Sequence, residues 1–296
     1  MFRTVLVTGS TDGIGRETAL QLWKLGHSVI LHGRSETRLA SIRNEILSLS
    51  VAAVPPSNKN SKQSLSTVCV DFSSLRDVSR AADALIRDFP HVSALINNAA
   101  VWVPSEKRTV TSEGVELGLA VNHLSPVLLT NRLLPVLRKN APARIVNISS
   151  ISHAYYPNGI LGNKEPFDFD NMNAEKKFDP YHIYSQAKLL NLFFTTYLAH
   201  REVLVTANAC DPGTVGPSKL VRAVEDHLQA ALPQQPLSGA ASAIVHVAVS
   251  PEVEGVSGKY FFDCKEQRTS ALAQDTETAE KVMRLSEEMI RKALKV

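Results

Sequence analysis

Tyr184 and Lys188 stand four residues apart in Tyr184-Ser-Gln-Ala-Lys188, a spacing that on a helix sets a phenol and an ammonium on one face. A free phenol ionises near pH 10, too high for easy proton exchange at neutrality, and a neighbouring cation stabilises the phenolate and brings that exchange within reach. The pair can therefore give a proton to a substrate oxygen or take one from it. Ordinary helices also carry Tyr and Lys at this spacing, so the reading depends on what accompanies the pair.

Its companion lies near the start of the chain. Residues 8–15 read Thr-Gly-Ser-Thr-Asp-Gly-Ile-Gly, with Gly9, Gly13 and Gly15 in a G-x-x-x-G-x-G spacing where a strand passes into a helix. A side chain at those glycines would block the turn and hold a pyrophosphate away from backbone N–H groups, whose direction and helix dipole favour the anion. The turn, with Gly9, Ser10, Asp12, Gly13, Ile14 and Gly15, is thus a candidate dinucleotide cradle. Rossmann sheets that prefer NAD end the second strand on an acid. Here that strand ends Leu31-His32-Gly33-Arg34, and a guanidinium pairs bidentately with a 2′-phosphate, so NADP(H) is expected over NAD(H). The alternative is a solvated surface arginine. Asp71, with Phe72 beside it, ends the third strand where it could accept from an adenine amino group. Asn97-Asn98-Ala99-Ala100 ends the fourth, where ligands collect in open α/β sheets. Helix capping by Asp71 and turn formation by the asparagines compete with these roles.

A scaffold must bring residues 9, 98 and 184 together. Apolar, β-rich runs at 4–8, 28–32, 66–70, 94–97, 144–149, 203–210 and 258–262 alternate with helical patterns at 15–25, 36–49, 75–88, 113–138, 184–200, 238–249 and 276–295. That rhythm predicts an α/β Rossmann fold, a doubly wound, seven-stranded parallel sheet flanked by helices, in one domain spanning 1–296. Residues 52–64 hold Pro-Pro, Asn, Lys and Ser with little to bury and read as a mobile surface insertion. Residues 152–180 are too long for an ordinary loop and lie beside the proposed chemistry, where they would shape a pocket. Trp102, Tyr155 and Tyr156 are candidates for an apolar substrate wall, with loop packing as the competitor. His123 and His153 read as structural or pocket-lining histidines.

The net charge of +3 is small for 296 residues and its basic residues are scattered, which argues against nucleic acid and for small-molecule partners. No apolar run reaches the ~20 residues that span a bilayer. The first strand starts almost at Met1, leaving no room for a leader, so a cytoplasmic protein with at most peripheral membrane contact is expected. Cys69, Cys210 and Cys264 lack metal-ligand spacing and read as reduced thiols; no metal is expected.

Taken in order, residues 8–15, Asp71, Asn97-Asn98-Ala99, Asn122, Ser149-Ser150, Tyr184/Lys188 and Pro212-Gly213 resemble the classical short-chain dehydrogenases/reductases over nearly the whole chain. The resemblance implies that Ser150 orients and polarises the substrate oxygen, with Ser149 as the fallback. It also implies that Tyr184 moves the proton, that Lys188 lowers the tyrosine pKa and holds the ribose, and that Asn122 supports a water relay. Pro212, Gly213 and Thr214 would complete the cofactor contacts, and residues 215–232 would close over nicotinamide and substrate. Residues 120–130, 211–215 and 255–264 are similar to the retinol dehydrogenase-like branch, which includes the WW-domain-containing oxidoreductases, and so is the long separation of Ser150 and Tyr184. That branch implies NADP(H) and lipophilic aldehydes, ketones or alcohols. This sequence shows neither an amino-terminal anchor nor WW modules, so retinoid is not the expected substrate. Family usage also implies a homodimer through the helices at 113–138 and 184–200. The expected function is hydride transfer between nicotinamide and a carbonyl or alcohol. The rivals are a cofactor-binding regulator or scaffold with little turnover and a light-dependent pigment reductase.

Overall fold

Thr4-Val-Leu-Val7 and Ser28-Val-Ile-Leu-His-Gly33 are apolar at successive rather than alternate positions, the mark of strands covered on both faces. The computed structural model describes residues 2–53, 63–102, 107–155, 167–215 and 235–296. Along the chain run β1 (Thr4–Val7), α1 (Gly13–Lys24), β2 (Ser28–Gly33), α2 (Glu36–Ala53), β3 (Leu65–Cys69), α3 (Leu75–Asp88) and β4 (Val92–Asn97). Next come α4 (Leu117–Leu119), a π turn (Ala120–Leu124), α5 (Ser125–Lys139), β5 (Ala143–Ile148) and α6 (Pro180–Arg201). The chain closes with β6 (Val205–Asp211), α7 (Leu237–Val249), β7 (Tyr260–Phe262), β8 (Lys265–Gln267) and α8 (Thr276–Leu294).

The described strands form one sheet in the order β3-β2-β1-β4-β5-β6-β7-β8. It is parallel except for the β7–β8 pair, and its order reverses between β1 and β4, where Rossmann sheets open a crevice for ligands. The expected seven strands are joined by β8, an exposed Lys-Glu-Gln edge without the apolar signal that identifies a buried strand. Helices α3, α5, α6 and α8 share one apolar core with the sheet, and α1, α2 and α7 share the other.

Two helix starts differ from expectation. The helix expected from residue 113 begins at Leu117, because Gly114 turns with φ +81° and Val110 bridges Glu116 before the helix can form. The helix expected from Tyr184 begins a turn earlier at Pro180, where Asp179 accepts the His182 N–H and proline suits the first turn. Residues 54–62 of the expected insertion, residues 156–166 of the 152–180 stretch, Tyr156 among them, and residues 216–232 of the expected closing segment lie outside the described residues.

Apolar surface on α5 and α6 motivated the expected dimer. Within this chain, α8 packs on α6, α3 and α5, placing Ala279, Val282, Met283 and Ile290 in the same core as Leu133, Leu189 and Phe193. Among the described residues no helix is long and apolar enough to cross a membrane, and no His, Cys, Asp and Glu cluster could hold a metal ion.

Candidate active site

The cradle is shaped by what its glycines leave out. Gly9 has φ +67°, and a Cβ there would sit 2.7 Å from the Ala99 Cα; a Cβ on Gly15 would collide with the Gly9 carbonyl and the Asn98 amide. Gly13 also has positive φ, +51°, yet nothing lies within 4 Å of the side-chain position it leaves empty. The turn is therefore tight beneath and open above, which fits a pyrophosphate lying against backbone. Asp12 caps α1 by accepting the Gly13 N–H at 2.9 Å, and Arg38 pairs with its other oxygen at 3.2 Å. Ile14 packs its side chain on the core.

Two polar residues hold the turn from below. Asn98 donates through Nδ2 to the Thr8 carbonyl at 2.8 Å, while the Asn98 and Ala99 N–H groups donate to Thr8 Oγ1 at 2.8 and 2.9 Å. His32 accepts the Gly9 N–H at Nδ1, 3.0 Å away, which requires a neutral ring; burial supplies that by pushing its pKa down to about 4. Ser10 spends its hydroxyl on the His32 backbone, accepting its N–H at 2.8 Å, so this side chain braces the loop from inside. Phe72 is buried, with its ring centroid 4.3 Å from that of His32. Asp71 is exposed and accepts the Ser73 N–H at 2.9 Å, while Ser74 is the residue that caps α3. Arg34 is exposed just past the end of β2.

The segment 98–102 carries this cradle into the second half of the site. Asn122 clamps it, accepting the Val101 N–H at 2.7 Å and donating to the Val101 carbonyl at 2.9 Å. Asn122 lies in the π turn, and Pro126, four residues on, has no N–H to give its carbonyl, which disrupts the regular α register there. Trp102 then packs edge-on against Tyr184, with ring centroids 5.1 Å apart.

Tyr184, Ser150 and Lys188 meet at the ends of β5 and α6. The Ser150 hydroxyl stands near enough to the Tyr184 phenol to favour its ionised form, while it also meets Ser152 Oγ at 3.1 Å; Lys188 Nζ lies 5.3 Å from the centre of the tyrosine ring. Ser149 points elsewhere, donating to the Lys188 carbonyl at 2.9 Å. Burial raises the Tyr184 pKa and nearby Asp211 raises it further, with the Ser150 hydroxyl opposing both. Burial lowers the Lys188 pKa to about 8, against a smaller upward pull from Asp211. In the protein alone the phenol thus holds its proton firmly, beside an ammonium that is still charged at neutrality.

Asp211 is the functional group that sequence reasoning left unassigned. It is buried at the end of β6 and accepts from Ile151 N at 2.7 Å, Tyr260 Oη at 2.9 Å and Gly213 N at 2.8 Å. It ties the turn after Ser150 to the Pro212-Gly213-Thr214 loop, in which Gly213 has φ +73°. Its place directly before Pro212-Gly213 was the available signal. His153 is structural: its Nδ1 meets the Ser150 carbonyl at 2.7 Å, and its Nε2 accepts the Ser270 N–H at 3.2 Å. Val101, Trp102, Glu116, Asn122, Phe178 and Ile183 line a small cavity with Tyr184, mostly apolar but for Asn122 and the buried Glu116 carboxyl.

The short chain dehydrogenase family matches residues 3–160. Retinol dehydrogenase 14 of Homo sapiens is 35% identical over 303 residues, covering 97% of this chain and 86% of that relative. Retinol dehydrogenase 13 of Mus musculus is 35% identical over 298 residues, covering 95% and 81%. Among solved structures, the Pseudomonas aeruginosa RhlG/NADP active-site complex aligns with TM-score 0.65 at 19% identity, covering 92% of this chain and 96% of that one. A 3-ketoacyl-(acyl-carrier-protein) reductase from Brucella melitensis complexed with NADH aligns with TM-score 0.63 at 18% identity, covering 88% and 96%. At those identities the solved structures speak for the fold.

Proposed function

Because the chain belongs to the short-chain dehydrogenase family, in its retinol dehydrogenase-like branch, we propose that it is an NADP(H)-dependent oxidoreductase acting on lipophilic aldehydes, ketones or the corresponding alcohols. The observation that carries this reading is the continuity of segment 98–102. Asn98 and Ala99 hold the glycine turn, while Val101 meets Asn122 and Trp102 packs on Tyr184, beside which Ser150 stands. One short stretch thus registers a nucleotide site against a proton donor.

When bound, the nicotinamide supplies hydride to the carbonyl carbon or accepts it in the reverse direction. Gly9, Gly13 and Gly15 would admit the pyrophosphate, Arg34 would pair with the 2′-phosphate, and Asp71 and Phe72 would serve the adenine end. Ala100 and residues 212–214 would serve the nicotinamide end. Ser150 donates to the substrate oxygen and fixes it beside the phenol. Tyr184 gives that oxygen its proton in reduction and removes it in oxidation. Lys188 holds the ribose, and its ammonium stabilises the phenolate left after transfer. Asn122, by clamping Val101, keeps the wall beside Tyr184 in place. The apolar lining from Trp102, Phe178 and Ile183 favours a lipophilic substrate body. α8 packs on part of the α5–α6 face expected for a homodimer. Free Cys69, Cys210 and Cys264 support a reducing compartment such as the cytoplasm.

The test is oxidation of NADPH and of NADH against a panel of carbonyls, from short aliphatic aldehydes to retinal. Turnover with NADPH on apolar aldehydes is expected. Tight NADPH binding with no turnover across the panel overturns the enzyme reading in favour of a cofactor-binding regulator.

A further inference from the structure

Behind Lys188 runs a chain of buried polar groups that the chemistry above leaves unused. The carbonyl of Ile148, the last residue of β5, accepts from Lys188 Nζ at 3.2 Å and from Asn191 Nδ2 at 3.0 Å. The Asn191 amide is oriented by that bond, so its Oδ1 faces His123 Nδ1 at 3.4 Å. His123 Nε2 in turn meets Ser286 Oγ at 2.9 Å. The chain therefore starts on α8, passes through the π turn next to Asn122, crosses to α6 and ends on the oxygen that holds the lysine head.

Every member is enclosed: His123 and Ser286 are 0% exposed and Asn191 is 4% exposed. Apolar side chains would fill such positions without the desolvation cost that an imidazole, an amide and a hydroxyl incur. The Ser286 hydroxyl has two acceptors at 2.9 Å for its one proton, the Val282 carbonyl and His123 Nε2; with the imidazole proton on Nδ1, His123 donates to Asn191 and accepts the Ser286 O–H, and burial keeps the ring neutral. Asn191 is braced a second time, its backbone carbonyl accepting from Thr195 Oγ1 at 2.7 Å, and Thr195 Oγ1 in turn accepts from Asn147 Nδ2 at 3.0 Å. The result fixes one hydrogen-bonding direction on the Ile148 oxygen and leaves the other to Lys188.

We propose that Ser286, His123 and Asn191 are positioning residues for Lys188, making α8 the outer anchor of the proton-transfer centre. The inference rests on the reading of Lys188 given under the proposed function. It gives α8, which packs on part of the α5–α6 face, a second task in aiming the lysine.

The experiment measures kcat with an apolar aldehyde and NADPH affinity by fluorescence for Ser286→Ala, alone and in a Lys188→Ala background. Ser286→Ala alone is expected to lower kcat about tenfold, the equivalent of one lost buried hydrogen bond, and to weaken NADPH about threefold. In the Lys188→Ala background it is expected to leave NADPH affinity unchanged within about twofold, since residues acting through a shared partner are not additive. Ser286→Thr, which keeps the hydroxyl, is expected to retain most of kcat. Equal weakening of NADPH in both backgrounds, or undiminished kcat in Ser286→Ala, overturns the inference while leaving the enzyme reading intact. If Lys188→Ala alone changes neither affinity nor turnover, the role given to Lys188 fails and the inference falls with it. Should Ser286→Ala not fold, His123→Gln is read by the same criteria.

Discussion

One turn, residues 9–15, makes most of the proposed nucleotide cradle, whereas the proposed proton-transfer centre draws Ser150 from just past the end of β5, Asn122 from the π turn, Asp211 from β6 and the Tyr184/Lys188 pair from α6. The cradle works through backbone and missing side chains, with Gly9 pressed on Ala99. The proton centre works through buried side chains whose properties come from distant neighbours, as when Asp211 raises the Tyr184 pKa. A site of the first kind fails when an atom is added; one of the second kind fails when an atom is removed.

Gly15→Ala is the largest expected break on the cradle side. Its new Cβ collides with the Gly9 carbonyl and Asn98, and NADPH affinity should fall by at least about 100-fold in a fluorescence titration, beyond the effect of an overpacked side chain that can relax. Gly13→Ala sharpens the contrast. It meets open space and bears only the strain of positive φ, so a loss within about tenfold is expected from the same titration.

On the proton-transfer side, Ser150→Ala should cost about 100-fold in kcat, the usual scale for removing a donor to a developing oxyanion. Ser149→Ala should cost less than about fivefold, since its hydroxyl is committed to the Lys188 carbonyl and a neutral structural hydrogen bond is worth ~1 kcal/mol. Steady-state kinetics on the pair decides between the two serines.

Arg34→Ala tests the cofactor preference. A lost charge-assisted pair with phosphate should weaken NADPH by about 10- to 100-fold and leave NADH within about twofold.

A separate expected effect concerns pH. Lys188 titrates near pH 8 in the folded protein and at 10.5 unfolded, so between those values the unfolded chain binds more protons and stability rises with pH. The cost of burying the ammonium is fully present below about pH 8 and is relieved above it. Urea melts of the wild type minus those of Lys188→Met should show this rise. Over the same range reductive kcat should fall as the lysine loses its charge.

The cradle and the strand sequence were legible because both are written in local spacing: glycines after a strand, and apolar runs buried on two faces. Tyr184 and Lys188 were legible for the same reason. The π turn was not, since it takes Pro126 acting on an acceptor four residues back inside an apolar stretch that reads as one continuous helix. Nor were Asp211, His32 and His123, whose partners lie 60, 23 and 163 positions away. The helix start at Pro180 was written in Asp179-Pro180 but masked by the nearby catalytic motif. β8 carries no apolar pattern because it is an exposed edge.

The separation of the two halves is tested most directly in Tyr184→Phe, by measuring NADPH affinity and kcat with an apolar aldehyde on the same preparation. In the proposed function the phenol hydroxyl acts on the substrate oxygen and takes no part in the glycine turn, so kcat should drop by about 1,000-fold while NADPH affinity stays within about threefold of wild type. A kcat within about tenfold of wild type, below the range for a general acid, would contradict the assignment of Tyr184 as the proton donor.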